Sequence, residues 1–437
     1  MDSLTYTQLL RRNRSFRRLF FGQLISELGN WFNFIAALGL GRVVSNSATE
    51  VTTIILITRL VPMTLFSPLA GAFVDRWSRR TVMIVTDLLR VVVALGFLLV
   101  RRQEDLWIAY LCTGLLSIFG SFFEAAKQAA VPNIAGERDL LPGNALMFSS
   151  RFLFMSLGAA LGGWTAANFG YQAAFIINAL SFVVSAYSVW LVPDAETRAK
   201  TELPAKQQRS AFRGYWSDIR EGWAYIVTHA PVATILGINI LWATGGGAMN
   251  LIADRLGALV FAGSHGFSAD EAVAAFYFAG GFGLFIGMMI ARRVGAFFEL
   301  RKRTIAFIGW TLFMQGIFYG LAGVMPTLLL SCVMVCISRV LLGAEFAVQE
   351  TLLMRLVPDQ LRGRVSTTDR AAEMLIWALS TAVAGWSLHW ITVRQLTVIC
   401  GFLSGTAGFL WLALFVTRKV RLPKKISGHR YTQVATD

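Results

Sequence analysis

Gly71-Ala72-Phe73-Val74-Asp75-Arg76-Trp77-Ser78-Arg79-Arg80 is a short charged stretch wedged between two long apolar runs. The runs, about 51–74 and 81–101, are each long enough to cross a ~30 Å hydrocarbon core at ~1.5 Å per residue. The stretch between them therefore reads as a tight hinge at a membrane face. Gly71 at its start lets two helices approach closely, and Asp75 can cap a helix or pair with a cation. Arg76, Arg79 and Arg80 hold the loop on the cytoplasmic side.

The rest of the composition agrees. Of 437 residues, 55% are apolar and only 15% charged, and the mean hydropathy is +0.58. A soluble surface cannot be built from that composition, so the chain reads as an all-α polytopic membrane protein. The net charge of +15 fits cytoplasmic loops beside anionic lipid rather than a nucleic-acid surface. Cys112, Cys332, Cys336 and Cys400 lie inside apolar runs without C-x-x-C spacing and read as core thiols, which gives no disulfide and no metal site. No cofactor is expected. Arg11, Arg12, Arg14, Arg17 and Arg18 precede an apolar run reaching about Leu40, too long for a signal-peptide core, so it is an uncleaved first span.

Apolar runs bounded by charge, Gly or Pro place six spans at about 18–42, 51–74, 81–101, 106–127, 143–167 and 170–192. Six more lie at about 231–254, 269–292, 303–324, 327–352, 366–391 and 395–417. Twelve crossings put both termini on one side, and about 30 of the 40 Lys and Arg fall in segments on that side, against Arg42, Arg101, Arg102 and Arg394 opposite. That asymmetry makes the termini cytoplasmic. The resulting organisation is a six-helix bundle over 1–192, a linker over 193–230, a second bundle over 231–418 and a basic tail over 419–437. Within the linker, 197–210 reads as flexible, and 212–227, with Tyr215, Trp216, Trp223 and Tyr225, as an amphipathic helix at the lipid interface.

The halves resemble each other. A shift of about 222–226 residues brings Glu124 and Val131-Pro132 onto Glu350 and Val357-Pro358, and Gly163-Trp164 onto Gly385-Trp386. This argues for a duplicated unit, the layout of an alternating-access carrier. Gly158-x-x-x-Gly162-Gly163 in span 5 and Gly280-Gly281-Phe282-Gly283-x-x-x-Gly287 in span 8 serve close helix approach, either as static packing or as a moving interface. Pro62 and Pro68 bend span 2.

A charge at membrane depth costs several kcal/mol unless paired or wetted, so each is a functional candidate. Glu27 stands roughly 13 Å into span 1 by helical rise, near the midplane. Asn30 and Asn33 extend it into a stripe that faces either a central cavity or a neighbouring helix as a polar seam. Glu124 pairs with Lys127 at i,i+3, and Asp87 with Arg90. Arg339 and Glu345 in span 10 are deep enough to need partners, and Glu27 or Glu124 across the cavity are candidates. Glu27, Asn30, Asn33, Glu124, Arg339 and Glu345 are thus the expected substrate and proton-coupling residues. Arg59 and Arg151 complete the charges of the first half. Asn250 and Asp254-Arg255 after Gly245-Gly246-Gly247 read as a helix end or an extracellular gate. Trp31, Phe34, Trp242 and phenylalanines of spans 4 and 8 supply apolar cavity walls.

The hinge pattern Gly-x-x-x-Asp-Arg-x-x-Arg-Arg, between the second and third spans, resembles the loop signature of the major facilitator superfamily, with Ser78 where the family usually has Gly. The chain is similar throughout to the drug:proton antiporter branch that includes macrolide efflux proteins and enterobactin-type exporters. The matching stretches are Phe16-Arg-Arg-Leu-Phe-Phe-Gly22, Pro132-Asn133 with Gly143-Asn144-Ala145, the 212–228 segment, and Val357-Pro358 with Arg362-Gly363-Arg364-Val365. The resemblance implies a monomeric, proton-coupled exporter of amphipathic molecules in a bacterial inner membrane. It also implies that spans 2, 5, 8 and 11 meet between the halves, and that Asp75 locks onto the start of span 11. Gly71, Asp75, Arg76, Arg79, Arg80 and Arg364 are then gating residues. Relatives commonly carry Asp after Gly in span 1, where this chain has Gly29-Asn30, leaving Glu27 as the nearest carboxylate. Span 5 lacks the Gly-Pro of the antiporter signature.

Other classes fit less well. No Gly-x-x-x-x-Gly-Lys-[Ser/Thr] occurs, against an ATP-driven pump, and His229, His265, His389 and His429 lack ligand or catalytic spacing, against an enzyme. A lysophospholipid carrier and a non-transporting scaffold or receptor remain as alternatives.

Overall fold

The computed structural model describes residues 6–74, 77–136, 139–197, 211–263, 266–358 and 360–416, which are helical almost throughout. Asp75, Arg76, the 198–210 part of the linker and the 419–437 tail lie outside the described residues. A short α1 (Tyr6–Arg12) leads into α2 (Arg14–Val44), α3 (Thr49–Val74), α4 (Arg79–Gly96), α5 (Leu106–Ala135) and α6 (Leu140–Trp190). After α7 (Asp194–Thr197) come α8 (Ala211–Thr228), α9 (Ala230–Gly246), α10 (Met249–Arg255) and α11 (Ala269–Leu300). The chain continues through α12 (Thr304–Val324), α13 (Leu328–Leu356), α14 (Arg362–Ser387) and α15 (Val393–Trp411).

Nine helical segments among the described residues are long and apolar enough to cross a membrane. One of them, within α6, makes two crossings, because Gly170 (φ 80°, ψ 167°) breaks the helix and turns it back. Both ends of α6 consequently lie at the start of α2: Gly143 packs against Phe16, and Arg18 donates to the Leu191 carbonyl at 2.6 Å. The charged helices α2 and α14 complete twelve crossings.

Helix ends are set by caps and by protein partners rather than by hydrophobicity alone. Asn13 caps α2, accepting from the Phe16 amide at 2.8 Å while its own amide donates to the Ile134 carbonyl at 2.6 Å. Ser268 and Glu271 form a capping box on α11, and Thr392 and Gln395 another on α15. Helices α11 and α13 run past the expected ends at 292 and 352, to Leu300 and Leu356, where Glu299 and Arg355 pair at 2.8 Å. The expected span at 231–254 is two helices, α9 and α10, parted at Gly246–Ala248. Three glycines there weaken the helix.

Helices α2–α6 form one bundle and α9–α15 the other. They meet along two seams, α6 against α11 and α3 against α14, so the four spans expected between the halves, 2, 5, 8 and 11, are the ones in contact. We call the end carrying the 71–80 turn the hinge face and the opposite end the far face. Helix α8 packs at the hinge face on α14 and α9 and also touches α3. Trp223 is half exposed, as an interfacial residue would be. Tyr225, expected at the lipid interface, instead stacks on His229 and donates to the Leu356 carbonyl at 3.3 Å.

The glycines divide by task. Gly158 and Gly162 let α6 press on Trp31 and Phe32 of α2, inside the first bundle. Gly283 and Gly287 do the same for α11 on α13 in the second. Gly163 and Gly281 work across the seam, against Asp270 and Ser156. The repeat partner of Gly163, Gly385, abuts Thr53 across the other seam, so the duplicated Gly-Trp pairs occupy equivalent places. Gly71 has open space where a Cβ would stand, so its expected role in close helix approach is not realised here.

A Cβ at residue 287 would sit 2.3 Å from the Val340 carbonyl oxygen, where only backbone movement relieves the clash. Gly287→Val is expected to cost at least about 1–3 kcal/mol, read as a lower thermal midpoint of the purified protein. Gly237→Ala, where a Cβ meets nothing within 4 Å, is expected to leave the midpoint unchanged or raise it by up to about 1 kcal/mol equivalent.

Candidate functional site

The space between the bundles is best described from the far face inward. At the far face, Arg42 in the last turn of α2 reaches across to the second bundle and donates to both Asp254 of α10 and Asp270 of α11. Arg255 pairs with Asp254 at 2.7 Å, donates to the Ser47 carbonyl at 2.9 Å and hydrogen-bonds Thr52 of α3. Tyr171, just past the Gly170 turn, donates to Asp270 at 2.8 Å. Asp254 and Arg255 are 0% exposed and Arg42 is 4% exposed. Two arginines against two aspartates leave this clasp neutral, which is what permits its burial.

Local structure makes the clasp possible. Asn46 (φ 52°) and Ser47 (φ 65°) are in the left-handed region, and this turn presents the Ser47 carbonyl to Arg255. Gly39 leaves room for the Tyr171 ring and the Asp270 carboxylate, both within 2.5 Å of where a Cβ would lie. In the first turn of α11, Glu271 serves the cap and Asp270 is left to bridge. At the rim, Glu50 and His389 form an exposed contact of 3.1 Å across the α3–α14 seam.

Beneath the clasp lies an aromatic layer. Phe34 and Trp31 of α2 meet edge-on at 5.4 Å, and Tyr277 of α11 lies 5.3 Å from Phe34. The Arg59 guanidinium stands 3.9 Å over the Phe34 ring. Tyr277 donates to the Asn250 carbonyl at 3.0 Å, beside the break between α9 and α10.

Below this layer a narrow recess of about 30 Å³ is lined by Met155 from the first bundle and by Asn250, Phe276, Tyr277, Tyr319 and Arg339 from the second. Gly280 also lines it, and a Cβ there would meet nothing within 4 Å. Arg339 is buried, with its guanidinium 5.2 Å from the Tyr319 ring centre.

Toward the hinge face several of the remaining charges pair within their own bundles. Glu27 lies 3.6 Å from Arg151, whose side chain is 59% exposed. Asn30 accepts from Arg90 at 3.1 Å, and Arg90 pairs with Asp87 at 3.0 Å, so Asn30 belongs to a seam between α2 and α4. Asn33 is buried and its Oδ1 has no partner. Glu124 pairs with Lys127 and accepts from Gln128. The coupling of Arg339 or Glu345 to Glu27 or Glu124 is absent, because both acids already have a cation on their own bundle. Glu345 is buried with Oε1 unpartnered, in the same bundle as the Glu373–Arg370 pair at 3.2 Å.

The hinge arginines hold the turn to the first bundle. Arg79 donates to the Ala129 carbonyl at 2.8 Å and the Thr197 carbonyl at 3.2 Å, and Arg80 donates to the Trp190 carbonyl. Ser78 donates to Asp194 at 2.7 Å. Arg364 pairs with Glu221 of α8. The expected lock between Asp75 and span 11 lies outside the described residues, as does Arg76.

Sequence reasoning missed the clasp. Arg42 read as a loop cation and Asp254-Arg255 as either a helix end or a gate, while Asp270 drew no attention. The available signal was opposite charge at the same depth in the two halves, Arg42 ending one apolar run and Asp270 opening another.

The comparisons follow the same outline. YfiS of Bacillus subtilis (strain 168), an uncharacterised MFS-type transporter, is 24% identical over 420 residues, covering 92% of this chain and 94% of its own. BacE of Bacillus amyloliquefaciens, described as a putative bacilysin exporter, is 28% identical over 233 residues, covering 51% of this chain and 55% of its own. Among solved structures, a bacterial homologue of the human lysosomal transporter Spinster, in an inward-facing and unoccupied conformation, superposes with a TM-score of 0.70 at 14% identity. It covers 93% of this chain and 98% of that one. The family model described as Major Facilitator Superfamily matches residues 19–299. With that match over the first bundle and the opening helices of the second, more than half of the chain, the chain belongs to the Major Facilitator Superfamily, and it is a membrane transporter rather than an enzyme.

Proposed function

We propose that the protein is a proton-coupled exporter of amphipathic small molecules that works by alternating access. The observation that carries this reading is a clasp of buried charges that joins the two bundles at the far face, above a recess in the second bundle that Met155 of the first bundle borders. The far face is the external side and the termini are cytoplasmic, in keeping with the Lys and Arg asymmetry of the loops. The membrane is a bacterial inner membrane. The moving units are 1–192 and 231–418, joined through 193–230.

In this cycle the clasp is the external gate. The hinge loop with Gly71, Asp75, Arg76, Arg79 and Arg80, together with Arg364, forms the cytoplasmic gate. Arg79 and Arg80 hold the loop to its own bundle so that it travels with it. Glu27 is the proton-coupling group, and protonating it would release Arg151. The name of BacE supports export, and the apolar lining supports an amphipathic cargo.

Proteoliposomes should take up some members of a panel of amphipathic compounds faster when a pH gradient is imposed. Glu27→Gln should lose that acceleration while keeping substrate exchange without a gradient, and equal gradient-driven uptake by both proteins removes Glu27 from the mechanism.

Removing one partner of a buried ion cluster costs about 3–5 kcal/mol. Arg42→Met should therefore lower the thermal midpoint. In a background without the four native cysteines, it should also raise maleimide labelling of Asn250→Cys from the external side. Unchanged external labelling in Arg42→Met speaks against the clasp as a gate.

A further inference from the structure

The recess holds a cation with no counter-charge. Arg339 is 2% exposed, its Nε has no hydrogen-bond acceptor, and among the described residues no carboxylate lies within ion-pair distance. The Tyr319 hydroxyl, 3% exposed and lining the same recess, is likewise unpartnered. Nearby acids are committed elsewhere: Glu27 to Arg151, Asp254 to Arg42 and Arg255, Glu373 to Arg370. Glu345 is six residues further along the same helix, about 9 Å by helical rise and on another side of it.

Stacking on Tyr319 offsets only about 0.5–2 kcal/mol of the cost of desolvating a guanidinium. The aromatic layer above repeats the arrangement, with Arg59 stacked on Phe34 and Trp31, also without a carboxylate partner among the described residues. Arg339 lines the recess itself, and Arg59 stands in the aromatic layer next to it. A cationic ligand would be repelled by both, and a neutral one would leave Arg339 uncompensated. A carboxylate supplies what is missing, because it accepts from a guanidinium and from a tyrosine hydroxyl together. Met155, Phe276, Leu256, Leu284 and Val335 then offer an apolar wall to the remainder of the molecule.

Within the transport reading above, on which this inference rests, we propose that the recess takes amphipathic carboxylates, with Arg339 and Tyr319 receiving the head group and Arg59 adding positive potential from above.

The test is binding to the purified full-length protein, by calorimetry or ligand-induced thermal shift, of three probes of nearly equal shape: 4-phenylbutyrate, 4-phenylbutanamide and 4-phenylbutylamine. The carboxylate should bind about tenfold or more tightly than the amide, and the amine weakest. Arg339→Gln should bring carboxylate and amide within about twofold of each other, and Arg339→Lys should keep part of the preference. Should Arg339→Gln fail to fold, Arg59→Gln and the wild-type ranking alone still decide. The proposal is overturned if the amine binds as tightly as the carboxylate, if the preference survives Arg339→Gln, or if none of the three binds. Labelling of Asn250→Cys needs no ligand, so a failed panel beside a clasp-dependent labelling shift discards the charge class and leaves the transport reading intact.

Discussion

The bridge from Arg42 to Asp254 and Asp270 is the constraint on which the rest depends, because it fixes how the far ends of the bundles sit and therefore where the recess is closed. A purely apolar seal would hold the ends together by excluding water, and parting it would expose that surface at about 25 cal/mol per Å². A charged seal behaves differently. Its members lose hydration when buried and regain it when wetted, so the net difference between joined and parted is small. Asp254 and Arg255 also stay neutralised on one bundle whatever Arg42 does.

The clasp sits over an aromatic layer that works by another principle. Trp31, Phe34 and Tyr277 fill the width between α2 and α11 with large rings, and Arg59 lies over them by its π-facing guanidinium rather than by an ion pair. The seams on either side are drawn close by Gly163 and Gly385, at matching points of the two repeats. Internal duplication thus reaches the contact surface itself, while the recess is asymmetric: all of its polar lining comes from the second bundle.

Much of this architecture was legible in the sequence, because apolar length and loop charge are local properties. The twelve spans follow from them, and the weakness at Gly245-Gly246-Gly247 from local helix propensity, whereas the seam helices are what the family resemblance implies. Helix limits were less legible, since Asn13 and the Glu299–Arg355 pair act through residues distant in sequence. The site was least legible. Arg42 and Asp270 are 228 positions apart, and Asp270 looks like an ordinary first-turn acid until Glu271 is seen to do the capping. Asn30 offered two faces to choose between, and its partner Arg90 lies on a third helix.

Gly280 carries a different consequence. Other glycines of α11, such as Gly283 and Gly287, are fixed by the backbone they touch, but residue 280 borders only the chamber. A side chain introduced there would take up room in the recess without pressing on the framework, so this one position can reshape that space through a single codon.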